Sequence, residues 1–96
     1  MTTIKVTQKD IDDGEKGLCA CCPVALAINR ELSRPAYASV KFDTVLIKNA
    51  DTGKVITWIL MPAKVNKFVY DFDSGLEVKP FTFDLDIPSE YLVVHA

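Results

Sequence analysis

Three cysteines, Cys19, Cys21 and Cys22, fall within four positions and stand directly before Pro23. Thiols at the start of a helix meet unpaired backbone N–H groups and the positive end of the helix dipole, which together favour a thiolate. The first turn, Pro23-Val24-Ala25, carries no acid to neutralise that field. Cys19 and Cys22 have the C-x-x-C spacing of redox pairs, and Cys21 is an extra thiol that competes for either partner. Read as metal ligands, three thiolates lack the fourth donor that a structural zinc site wants. The single histidine, His95, would complete a Cys₃His set only from a position beside the C-terminal residue, where chains are poorly ordered. A thioredoxin-like domain would feed a long strand straight into the motif, whereas here a capped turn and two glycines, Gly14 and Gly17, intervene. The cluster therefore reads first as small, burial-prone residues wedging a helix start. Thiol-redox or zinc-linked chemistry at Cys19, Cys21 and Cys22 is the alternative.

Other chemical motifs are fragmentary. Asp71-Phe72-Asp73-Ser74-Gly75 opens like a calcium loop, but the later glycine and the bidentate Glu at position 12 of that motif are not in place. Between Asp71 and Glu90 six acids, Asp71, Asp73, Glu77, Asp84, Asp86 and Glu90, oppose the lone base Lys79, which reads as a solvated face or a surface offered to a basic protein. There is no Gly-rich phosphate loop, no G-x-S-x-G elbow and no histidine placed as a general base. No residue is singled out as catalytic and no cofactor is implied. The expectation is a chain that is not an enzyme.

The elements that would position these residues follow from periodicity. Thr2-Ile4-Val6 alternates as a strand, and Thr7-Gln8-Lys9-Asp10 resembles a capped turn of helix ending at Gly14. A second helix should begin at Pro23 and stop near Arg34, because Pro35 cannot continue it. Its apolar face is Val24, Ala27, Ile28 and Leu32, with Leu26 falling on the polar side. Ala38 to Lys48 is expected as one strand and Lys54 to Met61 as the next, joined by a hairpin loop over Asn49-Ala50-Asp51-Thr52-Gly53. The second of these is apolar on both sides, which suits a central strand. Pro62 opens a helix with Val65, Phe68, Val69 and Phe72 at i, i+3, i+4 and i+7, ended by Gly75, with Tyr70 pointing away from the stripe. Phe81, Phe83, Leu85 and Ile87 then alternate with Thr82, Asp84 and Asp86 in a last strand, buried on one face and acidic on the other.

The expected fold class is therefore α+β, as one compact domain over residues 1–96. The order β-α-β-β-α-β matches the ferredoxin-like split βαβ arrangement, with a small antiparallel sheet packed by two helices as the alternative. Ile28, Trp58, Phe68, Phe72, Phe81 and Phe83 are the expected core, being the largest residues on the faces that demand an opposing apolar layer.

Two stretches, Cys19-Ala-Cys-Cys-Pro-Val-Ala-Leu-Ala-Ile28 and Phe72-Asp-Ser-Gly-Leu-Glu-Val-Lys-Pro-Phe-Thr-Phe-Asp-Leu85, together resemble a family of small uncharacterised proteins encoded by tailed phages and prophages. The shared pattern is a C-x-x-C-P-h-A-L-A helix start and an F-D-x-G-x-x-V-x-P-F-x-F-x-L segment, with Cys21 a departure from it. The resemblance implies a phage context, hence host-cell cytoplasm, and carries no mechanism.

Length and charge narrow the function classes. In 96 residues, 49% hydrophobic and 25% charged, there is room for a modest core, so a dimer or bound partner would add materially to stability. The net charge of −2 gives no general attraction for nucleic acid, and Asp84 and Asp86 stand where an RNA-recognition sheet would display basic and stacking residues. No apolar run approaches the roughly 18–20 residues of a membrane span, and Met1-Thr2-Thr3-Ile4-Lys5 lacks the apolar core of a signal peptide, so a cytoplasmic chain is expected. Clustered, odd-numbered cysteines exclude a secreted disulfide framework. What remains is a small binding or inhibitory module acting on a host or phage protein. Leu26 and Tyr70, apolar residues on polar helix faces, and the acidic pair Asp84 and Asp86 are its expected contacts. A homodimer is the nearest such partner, and the tail Tyr91-Leu92-Val93-Val94 is expected to pair with a sheet edge in its own chain or another.

Overall fold

The computed structural model describes residues 1–17, 21–41 and 43–93. The chain opens with strand β1 (Thr2–Val6), followed by a short helix α1 (Gln8–Asp13). Thr7 caps α1 through a reciprocal pair of bonds: its hydroxyl accepts from the Asp10 amide, and the Asp10 carboxylate accepts from the Thr7 amide. Asp10 is buried, yet its charge is met by Arg30, whose Nη2 lies 2.6 Å from Oδ2. That ion pair ties α1 to helix α2 (Pro23–Glu31). Gly14 closes α1 in an extended conformation, and its lack of a side chain serves close approach, since a Cβ there would sit 2.6 Å from Cδ of Pro23.

Helix α2 stops at Glu31, three residues short of the expected Arg34. The cause lies at the other end of the chain: Ser33 donates to the Tyr91 carbonyl and Val93 to the Glu31 carbonyl, and Leu32 bridges Leu92 in antiparallel fashion. Residues 91–93 thus pair with the end of α2 and not with a sheet edge, Val94 lying outside the described residues. Long-range pairing outbids one more helical turn, a choice that local propensity does not register.

The expected strand Ala38–Lys48 is two strands, β2 (Ala36–Lys41) and β3 (Thr44–Asn49). Lys41 pairs with Thr44, so the chain reverses between them at Asp43, where the Thr44 hydroxyl donates to the Asp43 carboxylate. A reversal without Gly, Pro or Asn gives little sequence signal beyond that one Asp. The following hairpin to β4 (Val55–Leu60) forms where expected, with Asn49 Oδ1 accepting from the Asp51 and Thr52 amides and Gly53 at φ 72°.

Helix α3 (Ala63–Asp73) buries Val65, Phe68 and Phe72. It ends in a Schellman turn: Leu76 donates to the Asp71 carbonyl and Gly75, at φ 81°, to that of Phe72. Strand β5 (Phe81–Leu85) alternates as expected and leads to a 3₁₀ turn, Ser89–Tyr91.

The α+β class is as expected, but the strands form two antiparallel sheets and not the single split βαβ sheet. The first and last strands do pair, with Ile4 opposite Phe83 and Val6 opposite Phe81. The meander β2-β3-β4 forms a sheet of its own, with β3 at its centre. One buried apolar cluster joins the inner faces of both sheets to the helices: Ile4, Val6, Phe83 and Leu85 from one, Ala38, Val40, Val45 and Ile47 from the other, and Val24, Ile28, Val65 and Phe68 from α2 and α3. Each fully buried aliphatic side chain there is worth about 1.5–3 kcal/mol. The Phe68 and Phe81 rings, 4.7 Å apart, and the Phe81 and Phe83 rings, 5.6 Å apart, connect α3 to the two-stranded sheet.

Trp58 departs from the expected core, being 60% exposed. The expectation that Lys54–Met61 is a central strand fails with it, because β4 is an edge.

Candidate protein-interaction surface

Trp58 is exposed because of how the meander is registered. It pairs with Leu46, Leu60 pairs with Thr44, and Ser39 pairs with Leu46, so these residues share one face of the sheet. The opposite face carries Ala38, Val40, Val45 and Ile47 into the core. A bulge at Ile47/Lys48 brings Val55 opposite Lys48. Strict alternation would turn Val55 away from Trp58, and the extra residue instead puts both on the outer face. Val55, Trp58 and Leu60 are each at least half exposed, and half-buried Leu46 and Tyr37 extend the apolar area across the strands.

The charged residues on this outer face are Lys41 and Lys48, and Lys54 precedes β4. The face is therefore apolar and basic, in a chain whose net charge is negative. An exposed apolar patch whose own face carries only lysines as charged residues, with Asp43 and Asp51 in the turns at its two ends, has the composition of a protein-binding surface, and the lysines favour an acidic partner.

The residues singled out from sequence lie elsewhere. Leu26 on α2 is half-buried, and Tyr70 on α3 is 72% exposed, pointing away from the apolar stripe. Asp84 on β5 and Asp86 beyond it are exposed, and Asp84 accepts a hydrogen bond from the Thr3 hydroxyl across the strand pair at 2.9 Å. No hydrogen bond or ion pair joins these four residues. Tyr91 and Leu92 are half-buried where the tail meets the end of α2.

Of the cysteines, Cys22 is buried and caps α2, its Sγ accepting from the Ala25 amide at 3.4 Å. Cys21 is exposed. Cys19 lies outside the described residues, as does His95, and among the described residues no group of three potential ligands gathers around a metal position.

A cleft of about 680 Å³ lies beside β2, with Arg34, Tyr37 and Asp51 among its polar lining. No helix among the described residues is long and apolar enough to cross a membrane. No family model matches the sequence, and neither a curated protein nor a solved structure is detectably similar to it.

Proposed function

We propose that this chain is a small non-enzymatic binding or inhibitory module, and that its contact surface is the outer face of the β2-β3-β4 sheet. The observation that carries the reading is the exposure of Trp58 and Leu60, 60% and 61%, beside Val55 and Leu46 and among lysines. Leaving a Trp and a Leu in water forgoes burial that each would find in a core, and tryptophan is the residue most enriched where binding energy concentrates. The lysines on the face, Lys41 and Lys48, favour an acidic protein. The phage resemblance supplies the setting, an accessory protein acting on a host protein in the cytoplasm.

The test is capture from bacterial lysate with the immobilised chain and with Leu46→Lys, which charges the centre of the face without touching the core. The chain is expected to retain an acidic protein that the variant does not. Equal capture by both, or none by either, counts against the reading.

A further inference from the structure

The three-stranded sheet has two edges, and the chain treats them differently. On the β2 side the outward amide of Ala38 is taken by the Asn29 side chain at 2.7 Å. The approach to β2 is bound as well, with Ala36 donating to the Ser33 carbonyl. Among the described residues nothing comparable covers β4. Met61 donates to the Asp43 carbonyl at 2.7 Å, which, with Val45 opposite Ile59 and Ile47 opposite Thr57, sets the odd-numbered residues of β4 bonding toward β3. The amides and carbonyls of Trp58 and Leu60 therefore face outward, and no described backbone group meets them. Edge strands are ordinarily guarded by a charge, a proline or a covering segment. Val55-Ile56-Thr57-Trp58-Ile59-Leu60 has no charge and no proline.

We propose that a second copy of this chain occupies the β4 edge, its own β4 running antiparallel across a two-fold axis, so that two meanders join into one six-stranded sheet. The inference deepens the binding reading and rests on it for the sheet's outer face, while using a different part of the strand: the backbone edge takes the copy, and the face stays open to the partner. Antiparallel pairing is self-complementary across a two-fold. With Trp58 on the axis, it exchanges both backbone bonds with its copy, and the bulge beside Ile56 confines the regular ladder to the centre of the strand. Charge favours the same orientation. Exposed Asp51 and Lys54 lie at the start of β4, and exposed Asp43 and Lys64 lie at its end. Antiparallel pairing brings each start beside the other copy's end, so Lys54 approaches Asp43 and Asp51 approaches Lys64. Parallel pairing would set Lys54 against Lys54. A six-residue strand about 20 Å long with three half-exposed apolar side chains gives each copy on the order of 500 Å² to bury, below the roughly 800 Å² of a standard interface. The dimer is accordingly weak and concentration-dependent.

Sedimentation velocity on the full chain, from about 5 to 500 μM, tests this alongside the emission of Trp58, the only tryptophan. The mass is expected to rise from 10.7 kDa toward twice that value, with a blue shift of the emission over the same range. Leu60→Pro removes an outward N–H and leaves the bonds to β3, so it should remain monomeric throughout. Trp58→Lys puts like charges opposite each other at the axis and should weaken association at least about tenfold, and it decides the question if the proline variant does not fold. Leu46→Lys should dimerise as the parent does. A parent chain that stays at 10.7 kDa at the highest concentration, or folded edge variants that associate like it, overturns self-pairing. Slow hydrogen exchange at the Trp58 and Leu60 amides only when another protein is added would overturn it too, by assigning the edge to a foreign strand. If self-pairing fails while capture remains sensitive to Leu46→Lys, the binding reading stands alone. If dimers form and capture is insensitive, that reading falls and the self-association remains.

Discussion

The two sheets solve the same problem in opposite ways. The β1-β5 ribbon buries Ile4, Val6, Phe83 and Leu85 on one face and turns Thr3, Lys5, Thr82 and Asp84 to water on the other. Its sequence alternation and its burial agree residue for residue. The β2-β3-β4 meander buries its inner face equally well, yet its outer face and free edge keep Val55, Trp58 and Leu60 in solvent. The ribbon keeps its apolar residues on the buried face, whereas the meander forgoes burial on one side. The difference teaches that a strand apolar on both faces is a central strand only if something stands on each side of it. When nothing does, the same pattern marks a surface.

Substitutions on the two sheets should separate these roles. The largest effect is expected for Phe83→Ala, which empties a buried site beside Phe81 and opposite Ile4 and should cost about 3–5 kcal/mol, read as a lower midpoint in urea. A melt unchanged by it would break the contrast between the sheets. Asn29→Ala should come next, at roughly 1–3 kcal/mol, because it leaves the Ala38 amide without its acceptor at the closed edge of the meander. Trp58→Thr, measured at a dilution where the chain is monomeric, should change stability by no more than about 1 kcal/mol, since the indole is mostly in water. A loss as large as that of Phe83→Ala would return Trp58 to the core and abolish the proposed surface.

The smallest effect belongs to the surface of α1. The hydrogen bond from Lys9 to Asp13, 2.8 Å long, and the attraction of that carboxylate raise the Lys9 pKa above its ordinary 10.5. A raised folded-state value means that the contribution is fully present below about 10.5 and is lost as pH rises through the folded value. Both partners are exposed, so α1 should loosen only above that pH and only slightly, which Lys9 titrating above 10.5 by NMR, and the loss of that rise in Asp13→Asn, would show.

Much of the fold was legible because it is written in local pattern. The stripe Val65, Phe68 and Phe72, the alternation of β5, the Thr7 cap and the hairpin with Gly53 each arise from residues within a few positions of one another. The candidate surface was not legible from the same signals. Leu26 and Tyr70 stand out as apolar residues on polar helix faces, and Asp84 and Asp86 as an acidic pair on the exposed side of the expected last strand. Trp58 and Leu60 fit their strand, and only the lack of a neighbour exposes them. The one sequence feature that marks them is negative: six edge residues with no charge or proline.

By itself the sequence determined the α+β class, the type and approximate place of most elements, and the buried face of β5 and of α3. Those follow from the fixed periods of helix and strand, which any short window of chain reveals. Tertiary structure alone decided that the Ala38–Lys48 run folds back on itself, that α2 yields its last turn to Leu92, and that the strands divide into two sheets. It also decided, through one bulge at Ile47/Lys48, that Val55 joins Trp58 and Leu60 on the outer face. Burial and pairing between residues far apart in sequence depend on which surfaces meet, and no local pattern carries that information.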